Sequence, residues 1–499
     1  MSTSLSISGV NGRQIKGIVP TGLFINNEFV PAAGDAVVEI ENPYNGQKLG
    51  SISAAQVADV DRAVSAASKA FHTTWSTAAP ELRRNLLNRL GDLIERETES
   101  LASLEAVDAG ILYRDSSQKF VPQAAETCRY YAGWADKVDG TSLPISEGMA
   151  YTKRAPYGVC AAIIPWNSPL MITLWKVAPA VAAGNTIIVK TPEMSPLYGQ
   201  KLAELVAEAG FPPGVINILC GLGTVAGQAL ADHLEIRKLS FTGSTAVGRH
   251  ILASSAKTNL KKVTLELGGK GPSIVFADAD WDNALAWTTA GITANNGQIC
   301  AAGSRIYVQD TIYDRFVREF SRLSKDAVAG DPLLAETTKG PLINKTQKER
   351  VMEFIRKGTT ENTAKLLHGG DDSKLPSGGH FVPNTAFYDV DRSATIINEE
   401  IFGPVASIAR FSTEQEAVEL ANSTSYGLAS AVFTEDVNKA VRVSEAMETG
   451  QVTVNMWGSV NANTPFGGVK ESGFGRDLGK DALEDWTYVK CIKFKISKL

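Results

Sequence analysis

The spacing of hydrophobic residues along the chain predicts which segments form helices and which form strands. Between 81 and 105, leucine and isoleucine recur at intervals of three and four residues with Arg and Glu between them, which predicts an amphipathic helix. From 158 to 280, short runs rich in β-branched residues alternate with helical segments; the runs are VCAAII, NTIIV, VINIL, KLSF, VTLEL and SIVF. This alternation predicts a parallel sheet covered by helices on both faces.

A second alternation of strand and helix begins near Ser304. SRIYVQD predicts a strand, TIYDRFVREFSRLSKDAV predicts a helix, and residues 401–411 are again rich in Val, Ile and Phe. The tail TYVKCIKFKISK alternates apolar and charged residues, which is typical of a strand exposed on one face. Such a strand at a chain end could pair with a neighbouring subunit. We therefore expect a second α/β domain followed by a terminal strand.

The composition limits the classes of protein to which the chain can belong. With 499 residues it is too long for one hydrophobic core, so two or three domains are expected. The net charge is −5 and no basic stripe is present, which argues against nucleic-acid binding. The most apolar stretch, 158–190, is interrupted by Pro165, Lys176 and Pro179, so a membrane span is not expected.

The cysteine pattern and the N-terminus bear on metal binding and on the cellular compartment. Five cysteines are scattered without a CxxC pair and five histidines are dispersed, so neither a disulfide framework nor a metal site is expected. Residues 1–20 lack the apolar core of a signal peptide, and we expect a flexible tail there. These features favour a reducing compartment, and we expect a cytoplasmic protein.

Two glycine-rich turns suggest a site for a nucleotide. Gly221-Leu-Gly223-Thr-Val-Ala-Gly227 and Gly243-Ser-Thr-Ala-Val-Gly248 each follow a predicted strand and open a helix. The free backbone N–H groups of a helix start suit a pyrophosphate, although such turns are common in any α/β fold. The second turn is favoured, because Ser244 adds a hydroxyl group at the helix start. Neither turn is followed by a Lys-Ser or Lys-Thr pair, which excludes a Walker A phosphate loop.

Three side chains lie in segments where a structural role and a chemical role are both open. Cys300, in NNGQICAAGSR, is either a buried small hydrophobe or a nucleophile whose thiol needs local activation. Glu266, in LELGGK, is either a strand-end salt-bridge partner or a general base with a raised pKa. Asn167, in IIPWNSPL, is either a turn-former or a donor to a developing oxyanion.

Seven motifs in a fixed order carry a family resemblance. They are IIPWNSPL, KTPE, FTGSTAVG, LELGGK, GQICAAGSR, EEIFGPV and PFGGVKESGFGRDLG. From FINNEFV at 24–30 to the C-terminus, the chain resembles the NAD(P)-dependent aldehyde dehydrogenases, in particular the group of about this length that hydrolyses its intermediate. The resemblance implies an α/β fold with a Rossmann-like cofactor domain, an α/β catalytic domain and a small β oligomerisation arm.

The resemblance also implies oxidation of an aldehyde to a carboxylic acid through a thiohemiacetal and a thioester. Cys300 resembles the family's nucleophile, and Asn167 with the backbone N–H of Cys300 resembles its oxyanion hole. Glu266 resembles the base that activates water to release the acid. Lys176 and Asp477 resemble residues that support proton transfer, although the family commonly has a Glu where Asp477 stands.

The implied cofactor is NAD, with NADP as the alternative. Lys190 and Glu193 in KTPE resemble residues that bind the adenosine ribose, and a Glu there would repel the 2′-phosphate of NADP. The other cofactor residues that the family implies are Trp166, Gly243 and Ser244 near the pyrophosphate, and Glu400 and Phe402 near the nicotinamide ribose. The structural alternative to a cofactor-binding role is that Glu399 and Glu400 simply lie in a solvent-exposed loop.

The residues of the implied substrate funnel depart from those that the family often has. Ser168 and Val460 stand where bulky residues are frequent, which suggests a wide entrance suited to an aromatic or extended aldehyde. Where the family often has thiols beside the nucleophile, this chain has Ile299 and Ala301. Apolar walls are expected from Met171, Trp175, Trp457 and Phe466.

The resemblance also predicts how the chain divides into domains and how it assembles, and two alternative functions remain open. The resemblance implies a cofactor domain over 1–137 and 157–268, a catalytic domain over 269–480, and an arm from 138–156 and 481–499 that assembles a homodimer or homotetramer. One alternative is a CoA-acylating aldehyde dehydrogenase, against which Glu266 argues because that chemistry needs no water-activating base. The other is a non-catalytic structural or binding protein, against which the joint presence of Cys300, Glu266 and Asn167 argues.

Overall fold

A computed structural model describes residues 4–7 and 19–495. Most of the predicted N-terminal tail lies outside the described residues, as do residues 496–499, which include the end of the predicted terminal strand. The described strands, in chain order, are β1 (Ser4–Leu5), β2 (Val19–Pro20), β3 (Leu23–Ile25), β4 (Glu28–Val30), β5 (Val37–Asn42), β6 (Gln47–Ser53), β7 (Ser142–Ile145), β8 (Gly148–Pro156), β9 (Val159–Ile163), β10 (Thr186–Thr191), β11 (Ile216–Cys220), β12 (Lys238–Thr242), β13 (Lys262–Glu266), β14 (Pro272–Val275), β15 (Arg305–Gln309), β16 (Lys365–His368), β17 (Thr385–Tyr388), β18 (Val405–Phe411), β19 (Tyr426–Gly427), β20 (Ala429–Phe433), β21 (Gln451–Val454), β22 (Val469–Lys470), β23 (Gly473–Phe474) and β24 (Thr487–Lys495). The described α-helices are α1 (Val57–Ala70), α2 (Pro80–Arg96), α3 (Thr98–Ala109), α4 (Tyr113–Asp115), α5 (Val121–Ala132), α6 (Pro169–Ala182), α7 (Leu197–Ala209), α8 (Gln228–Asp232), α9 (Thr245–Lys257), α10 (Trp281–Thr293), α11 (Asp310–Ser324), α12 (Lys345–Thr360), α13 (Thr395–Asn398), α14 (Glu414–Asn422), α15 (Val437–Ala446) and α16 (Gly479–Asp485).

The first sheet is built around the strand–helix alternation that begins near residue 158. Its eight strands run in the order β23-β13-β12-β9-β10-β11-β3-β4. The five strands from β13 to β11 are mutually parallel, and antiparallel strands flank them at both edges. The first parallel strand, β9, lies between β10 and β12, so the chain changes direction across the sheet beside it. In doubly wound folds of this kind, ligands bind in the crevice outside the carboxyl ends of the strands at this switch point.

Helices cover both faces of the first sheet. The residues of β9, β10, β11 and β12 are all buried, so both faces must be covered. One face packs against α6 and α7, with residues such as Val177 and Leu202, and α2 and α5 pack outside them. The other face packs against α1, α8 and α9, with Val64, Leu230 and Ile251. The predicted parallel sheet with two helical layers is confirmed.

The second sheet contains the later part of the chain. Its seven strands run in the order β16-β17-β18-β15-β14-β20-β21, and all are parallel except β16. Phe316 and Phe320 of α11 pack on one face, and Val351 of α12 with Leu420 of α14 packs on the other. The run SIVF was predicted with the first alternation, but it forms β14 of the second sheet, because it pairs with β15 and β20.

The third sheet is an antiparallel ribbon in the order β24-β8-β7. Strand β24 pairs along its full length with β8, from Thr487 opposite Pro156 to Lys495 opposite Gly148. Only Thr487 is buried, and most of β24 is exposed on both faces, so the prediction of a single exposed face is wrong. The reason is that pairing with β8 satisfies the backbone of β24 without a second layer covering its side chains.

The single helix predicted over 81–105 is two helices, α2 and α3. They meet at Glu97, whose backbone (φ −96°, ψ 19°) leaves the helical region. The hydrophobic spacing misses this break, because Leu101 and Leu104 beyond it are also buried. Within the ranges 4–7 and 19–495, no helix combines the length and the apolar composition that a bilayer crossing requires.

Candidate active site

A cleft lies at the carboxyl ends of β9 and β12, where the fold predicts a ligand site. Strand β9 leads into Pro165-Trp166-Asn167, and β12 leads into Gly243 and Ser244. The cleft has a volume of about 280 Å³ and is lined by Pro165, Trp166, Asn167, Thr242, Gly243, Ser244, Leu267, Gly268, Cys300, Gln347, Arg350, Glu400 and Phe402. The structure thus brings Cys300 and Asn167 together with most of the predicted cofactor residues, whereas Lys190 and Glu193 lie beyond the cleft lining.

Cys300 lies in the loop between α10 and β15, and its side chain is partly exposed. A Cβ at Gly269 would lie 2.3 Å from the carbonyl oxygen of Cys300, so only glycine allows this close approach. Burial, followed by the charges of Glu266 and Glu400, raises the pKa of the Cys300 thiol to about 12. The backbone N–H groups of Ala301 and Cys300 oppose this increase in the pKa without cancelling it. The resting side chain is therefore a neutral thiol.

Glu266 is the last residue of β13, and its side chain is buried. Neither carboxyl oxygen has a hydrogen-bond partner among the described residues. Burial, and then the negative charge of Asp477, raises the pKa of Glu266 well above that of an ordinary carboxyl group. The alternative prediction of a strand-end salt bridge is wrong, because no basic group in the described part of the chain pairs with it.

Lys176 and Asp477 form a buried ion pair close to Glu266. The Nζ atom of Lys176, on α6, lies 2.7 Å from Oδ2 of Asp477. Lys176 lowers the pKa of Glu266, and Asp477 raises it, so both charges act on the carboxyl group. The backbone of Asp477 also pairs with that of Phe466, which fixes the predicted glycine-rich loop. The shorter acid therefore still reaches the lysine, and its role in proton transfer stays a prediction.

The N-terminus of α9 lies at the cofactor end of the cleft. Ser244 is the N-cap, and its hydroxyl accepts a hydrogen bond from the N–H of Val247 at 3.4 Å. The hydroxyl of Thr242 is buried and has no hydrogen-bond partner among the described residues. An unpaired hydroxyl and a helix N-terminus that face one cleft suit the phosphate groups of a dinucleotide. The residues present therefore fit a cofactor of this kind.

Lys190 and Glu193 lie beside the first glycine-rich turn. The Nζ atom of Lys190 lies 2.8 Å from Oε2 of Glu193, and Oε1 of Glu193 accepts a hydrogen bond from the N–H of Gly223 at 3.3 Å. Burial raises the pKa of Glu193 and the charge of Lys190 lowers it, with a net decrease. Glu193 is thus an ionised carboxylate whose nearest cation is already paired.

Glu400 and Phe402 also line the cleft. Oε1 of Glu400 accepts a hydrogen bond from the N–H of Gly269 at 2.8 Å, so this residue is not part of a solvated loop. Phe402 has a left-handed backbone (φ 59°), and its ring meets that of Trp166 edge-on with centroids 5.3 Å apart. An aromatic pair and a carboxyl group therefore both line the cleft.

Two residues of α12 that line the cleft were not predicted from the sequence. Gln347 donates to the carbonyl oxygen of Phe402 at 2.9 Å, and Arg350 donates to that of Glu400 at 2.8 Å. Both lie on α12, whose pattern of charged and apolar residues is that of any surface helix. The sequence carries no signal that separates these two side chains from the other polar residues of that helix.

Most of the predicted substrate residues belong to, or pack against, the same core cluster as Cys300. Met171, Trp175, Ala301 and Phe466 are buried in one core cluster, and Ile299, Cys300 and Val460 pack against it. The rings of Trp175 and Phe466 have centroids 5.1 Å apart. The indole N–H of Trp457 donates to the carbonyl oxygen of Ala301 at 2.9 Å, and the Ser168 hydroxyl donates to that of Asn167 at 2.7 Å. Their contact with a substrate stays a prediction.

The fold and the cleft together indicate the class of protein. A doubly wound sheet whose anion-binding cleft ends at a thiol, with a buried acid nearby, is the arrangement expected of a dinucleotide-dependent enzyme. The chain belongs to the aldehyde dehydrogenase family, because the family model matches residues 29–492. The protein is therefore an oxidoreductase that oxidises aldehydes to carboxylic acids.

Individual relatives agree with this assignment. The chain is 46% identical over 478 residues to an aldehyde dehydrogenase of Davidiella tassiana, with 96% of each chain covered. The NAD+ complex of an aldehyde dehydrogenase from Bacillus cereus matches with a TM-score of 0.94 and 41% identity, over 96% of this chain and 97% of that chain. A mutant of P. syringae AldA, an indole-3-acetaldehyde dehydrogenase solved with NAD+ and IAA, matches with a TM-score of 0.94 and 36% identity, over 96% and 98% of the two chains.

The comparisons decide several of the expectations. The family, the α/β fold class, the enzyme class and a nicotinamide cofactor for the class are confirmed. The two alternatives, a CoA-acylating enzyme and a non-catalytic protein, are not favoured by them. The roles of individual residues in this chain, its substrate, its assembly and its compartment stay predictions.

Proposed function

We propose that Cys300 attacks the aldehyde carbon and that Glu266 activates the water that releases the acid. The environment of Glu266 is the main support for this proposal. Glu266 is a buried carboxyl group without a hydrogen-bond partner among the described residues, and it lies near enough to Cys300 for its charge to raise the pKa of the thiol. An unpaired buried acid lowers stability, and perturbed acids of this kind cluster at functional sites. A catalytic role therefore accounts for Glu266 better than a structural role does.

In the first step, Sγ of Cys300 bonds to the aldehyde carbon to give a thiohemiacetal. Because the resting thiol is neutral, its proton must leave, and the ionised form of Glu266 is the nearby acceptor. Asn167 uses one N–H of its amide to donate to the carbonyl oxygen of Gln298 at 2.9 Å. The second N–H, together with the backbone N–H of Cys300, would stabilise the negative charge on the substrate oxygen. Such a donor typically contributes about 10²–10³-fold in rate.

The second step turns the thiohemiacetal into a thioester on Cys300. A bound nicotinamide would supply the hydride acceptor for this oxidation. Ser244 at the start of α9, Trp166, Glu400 and Phe402 would bind and orient the dinucleotide along the cleft. Glu266 must next release to solvent the proton that it took from the thiol. Once ionised again, it removes a proton from water, the water oxygen bonds to the thioester carbon, the carbon–sulfur bond breaks, and the proton on Glu266 passes to the leaving sulfur. The products are the carboxylic acid and the regenerated thiol of Cys300.

We also propose that Lys176 and Asp477 support proton transfer at Glu266. Lys176 lowers the pKa of Glu266, so its ammonium group favours the ionised base. Asp477 raises that pKa and holds Lys176 at 2.7 Å in a site closed to solvent. The two charges therefore act in opposite directions on the pKa of Glu266, and this pair is the charged surrounding in which a general base would accept and lose its proton.

For the cofactor, we propose NAD rather than NADP. Glu193 is ionised, and a carboxylate at the adenosine ribose would accept hydrogen bonds from the ribose hydroxyls but repel a 2′-phosphate. Lys190 is already paired with it, so its charge is not available for that phosphate. The solved relatives from Bacillus cereus and P. syringae hold NAD+.

Product analysis tests the proposed reaction. With a generic aldehyde and NAD+, the enzyme should form the carboxylic acid in equal amount to NADH, and added CoA should not divert the product to an acyl-CoA. NADP+ should give a lower kcat/KM, because Glu193 repels the additional phosphate. Mass spectrometry of the product and absorbance at the NADH band measure both results. Formation of acyl-CoA as the main product would contradict the hydrolytic role of Glu266.

For the substrate, we propose an aromatic or extended aldehyde. Ser168 and Val460 are small, and both Val460 and Cys300 pack against a core cluster that includes Met171 and Trp175. Small side chains at the mouth of an apolar funnel leave room for a ring. The P. syringae relative, an indole-3-acetaldehyde dehydrogenase, acts on an aldehyde with a bicyclic aromatic group.

Filling the funnel should change substrate preference in a predictable direction. In Val460→Phe, kcat/KM for an aromatic aldehyde should fall by about 10–100-fold, because the added ring occupies the space of the substrate ring. Acetaldehyde oxidation should change little. Val437→Phe, at an exposed position on α15, is the matched control. A wild-type enzyme that strictly prefers acetaldehyde across a chain-length and aromatic series would rule out the wide funnel.

The assembly and compartment are proposed from the third sheet and the composition. We propose that the segments 138–156 and 481–499 form an oligomerisation arm for a homodimer or homotetramer. Its edge strand β24 exposes Val489 and Phe494, and an exposed apolar edge strand favours pairing with a second chain. The two larger sheets support a cofactor domain over 1–137 and 157–268 and a catalytic domain over 269–480. Five unpaired cysteines support a cytoplasmic location.

A further inference from the structure

The loop that carries Cys300 begins with three residues in the left-handed backbone region. Asn295 (φ 44°), Asn296 (φ 54°) and Gly297 (φ 67°) follow one another directly. Residues with a side chain seldom adopt this region, and consecutive ones are disfavoured. A Cβ at Gly297 would lie 2.2 Å from the carbonyl oxygen of Gly403, so the turn is also pressed against a neighbouring backbone. Surrounding groups must therefore hold this turn in place.

The side chain of Asn296 is held by the segment 339–341. Its amide nitrogen donates to the carbonyl oxygens of residues 340 and 341 at 3.0 and 3.2 Å. Its amide oxygen accepts a hydrogen bond from Nζ of Lys339 at 2.9 Å. Both polar atoms of Asn296 are thus engaged by one segment of the chain.

The same turn is connected to the proposed oxyanion donor. Asn295 donates to the carbonyl oxygen of Asn167 at 2.9 Å, and Asn167 donates in return to that of Gln298 at the same distance. The N–H of Ile343 donates to the side chain of Gln298 at 3.0 Å. A shift of the turn would consequently move Cys300 relative to Asn167.

Lys339 is buried, and its two hydrogen-bond partners are both amide oxygens. Besides Asn296, it donates to Oδ1 of Asn384 at 2.7 Å. Burial lowers the pKa of Lys339 to about 7, so it is partly neutral at neutral pH. A cavity of about 240 Å³ lies behind the turn and is lined by Asn295, Asn296, Lys339 and Asn384 among others. Asn295 and Asn296 therefore border open space on this side, where Asn296 accepts the hydrogen bond from Lys339.

We propose that Lys339 is a positioning residue for the reaction: by donating to Asn296, it holds the left-handed turn that sets Cys300 beside Asn167. This inference rests on the proposed role of Cys300. An amine suits the position, because its protonated and neutral forms both keep two N–H bonds, one for Asn296 and one for Asn384. The hydrogen bonds, rather than the charge, are the property that the turn requires.

Lys339→Met tests this role, because methionine has a similar length but cannot donate a hydrogen bond. A misplaced nucleophile loop should lower kcat by about 10–100-fold, while the KM for NAD+ changes little. The rate of Cys300 alkylation by iodoacetamide, measured by mass spectrometry as the ratio of modified to unmodified Cys300 peptide, should change with it. Lys339→Gln, whose amide still has two N–H bonds, should restore most of the activity and show the same pH profile as the wild type.

A double-mutant cycle separates positioning from general destabilisation. Asn296→Gly removes the anchored side chain while glycine tolerates the left-handed backbone, so it should also lower kcat. Adding Lys339→Met to Asn296→Gly should cause no further loss, because the lysine acts through Asn296. Lys345→Met, on an exposed residue of α12, is the matched control.

Two results would overturn the inference. One is a wild-type kcat and alkylation rate in Lys339→Met. The other is a double variant whose loss of kcat equals the product of the losses in Lys339→Met and Asn296→Gly. If Lys339→Met does not fold, the alkylation rate and kcat of Asn296→Gly decide instead, and wild-type values there overturn it. A failure of the proposed function is distinguishable, because it would appear as normal turnover after removal of the Cys300 thiol. In that case the alkylation rates would still report the position of the loop.

Discussion

Cys300→Ala should reduce aldehyde oxidation by on the order of 10⁴-fold or more, because no other group can form the thioester. Three of the other cysteines, Cys128, Cys160 and Cys220, are fully buried, and Cys491 lies exposed on the terminal strand. None of them lines the cleft next to Asn167. Binding of NAD+, measured by quenching of tryptophan fluorescence, should change little, since the proposed cofactor contacts lie elsewhere on the cleft walls.

The matched control for this variant is Cys491→Ala, which should keep wild-type turnover. Thermal unfolding should be nearly unchanged in both variants, because Cys300 is only partly buried and Cys491 is exposed. Mass spectrometry of the wild-type enzyme quenched during turnover should detect the acyl group on the peptide that contains Cys300. Normal dehydrogenase turnover in Cys300→Ala would show that the nucleophile has been assigned to the wrong residue.

Most of the fold could be predicted from the sequence, because hydrophobic periodicity reports burial directly. The strands from β9 to β12 are buried on both faces, so they appear as continuous apolar runs. Periodicity does not report which strands pair. The run that forms β14 resembles its predecessors, yet it belongs to the second sheet, and only the three-dimensional pairing with β15 and β20 shows this.

The candidate site was predictable where a motif carries the chemistry and unpredictable where contacts come from distant segments. Cys300, Glu266 and Asn167 stand out as polar residues in apolar or glycine-rich surroundings. Lys339 does not, because its effect depends on the position of Asn296, 43 residues away along the chain. Gln347 and Arg350 are similar: their polar side chains are ordinary on a surface helix, and only their hydrogen bonds to the cleft wall distinguish them.

Glu266→Gln should separate the two chemical steps. Glutamine keeps the size of the side chain but cannot remove a proton from water, so release of the acid should slow by about 10²–10⁴-fold. If formation of the thioester is less affected, each active site should release one NADH rapidly and then turn over slowly. Rapid mixing at the NADH absorbance band measures this burst. Glu81→Gln, on the exposed surface of α2, is the control and should show wild-type steady-state turnover.

The pH dependence of turnover tests the same assignment independently. The base is active only when ionised, and burial raises the pKa of Glu266 well above that of an ordinary carboxyl group. Activity of the wild-type enzyme should therefore fall as the pH decreases through this raised pKa, at a pH where exposed carboxyl groups are still ionised. In Glu266→Gln this acidic limb of the pH profile should be absent.

The melting temperature of Glu266→Gln should be no lower than that of the wild type, because a neutral amide avoids the cost of an ionised, unpaired carboxylate at the same buried position. A large loss of stability without a change in the pH profile would instead indicate that Glu266 supports the fold and that another group activates water.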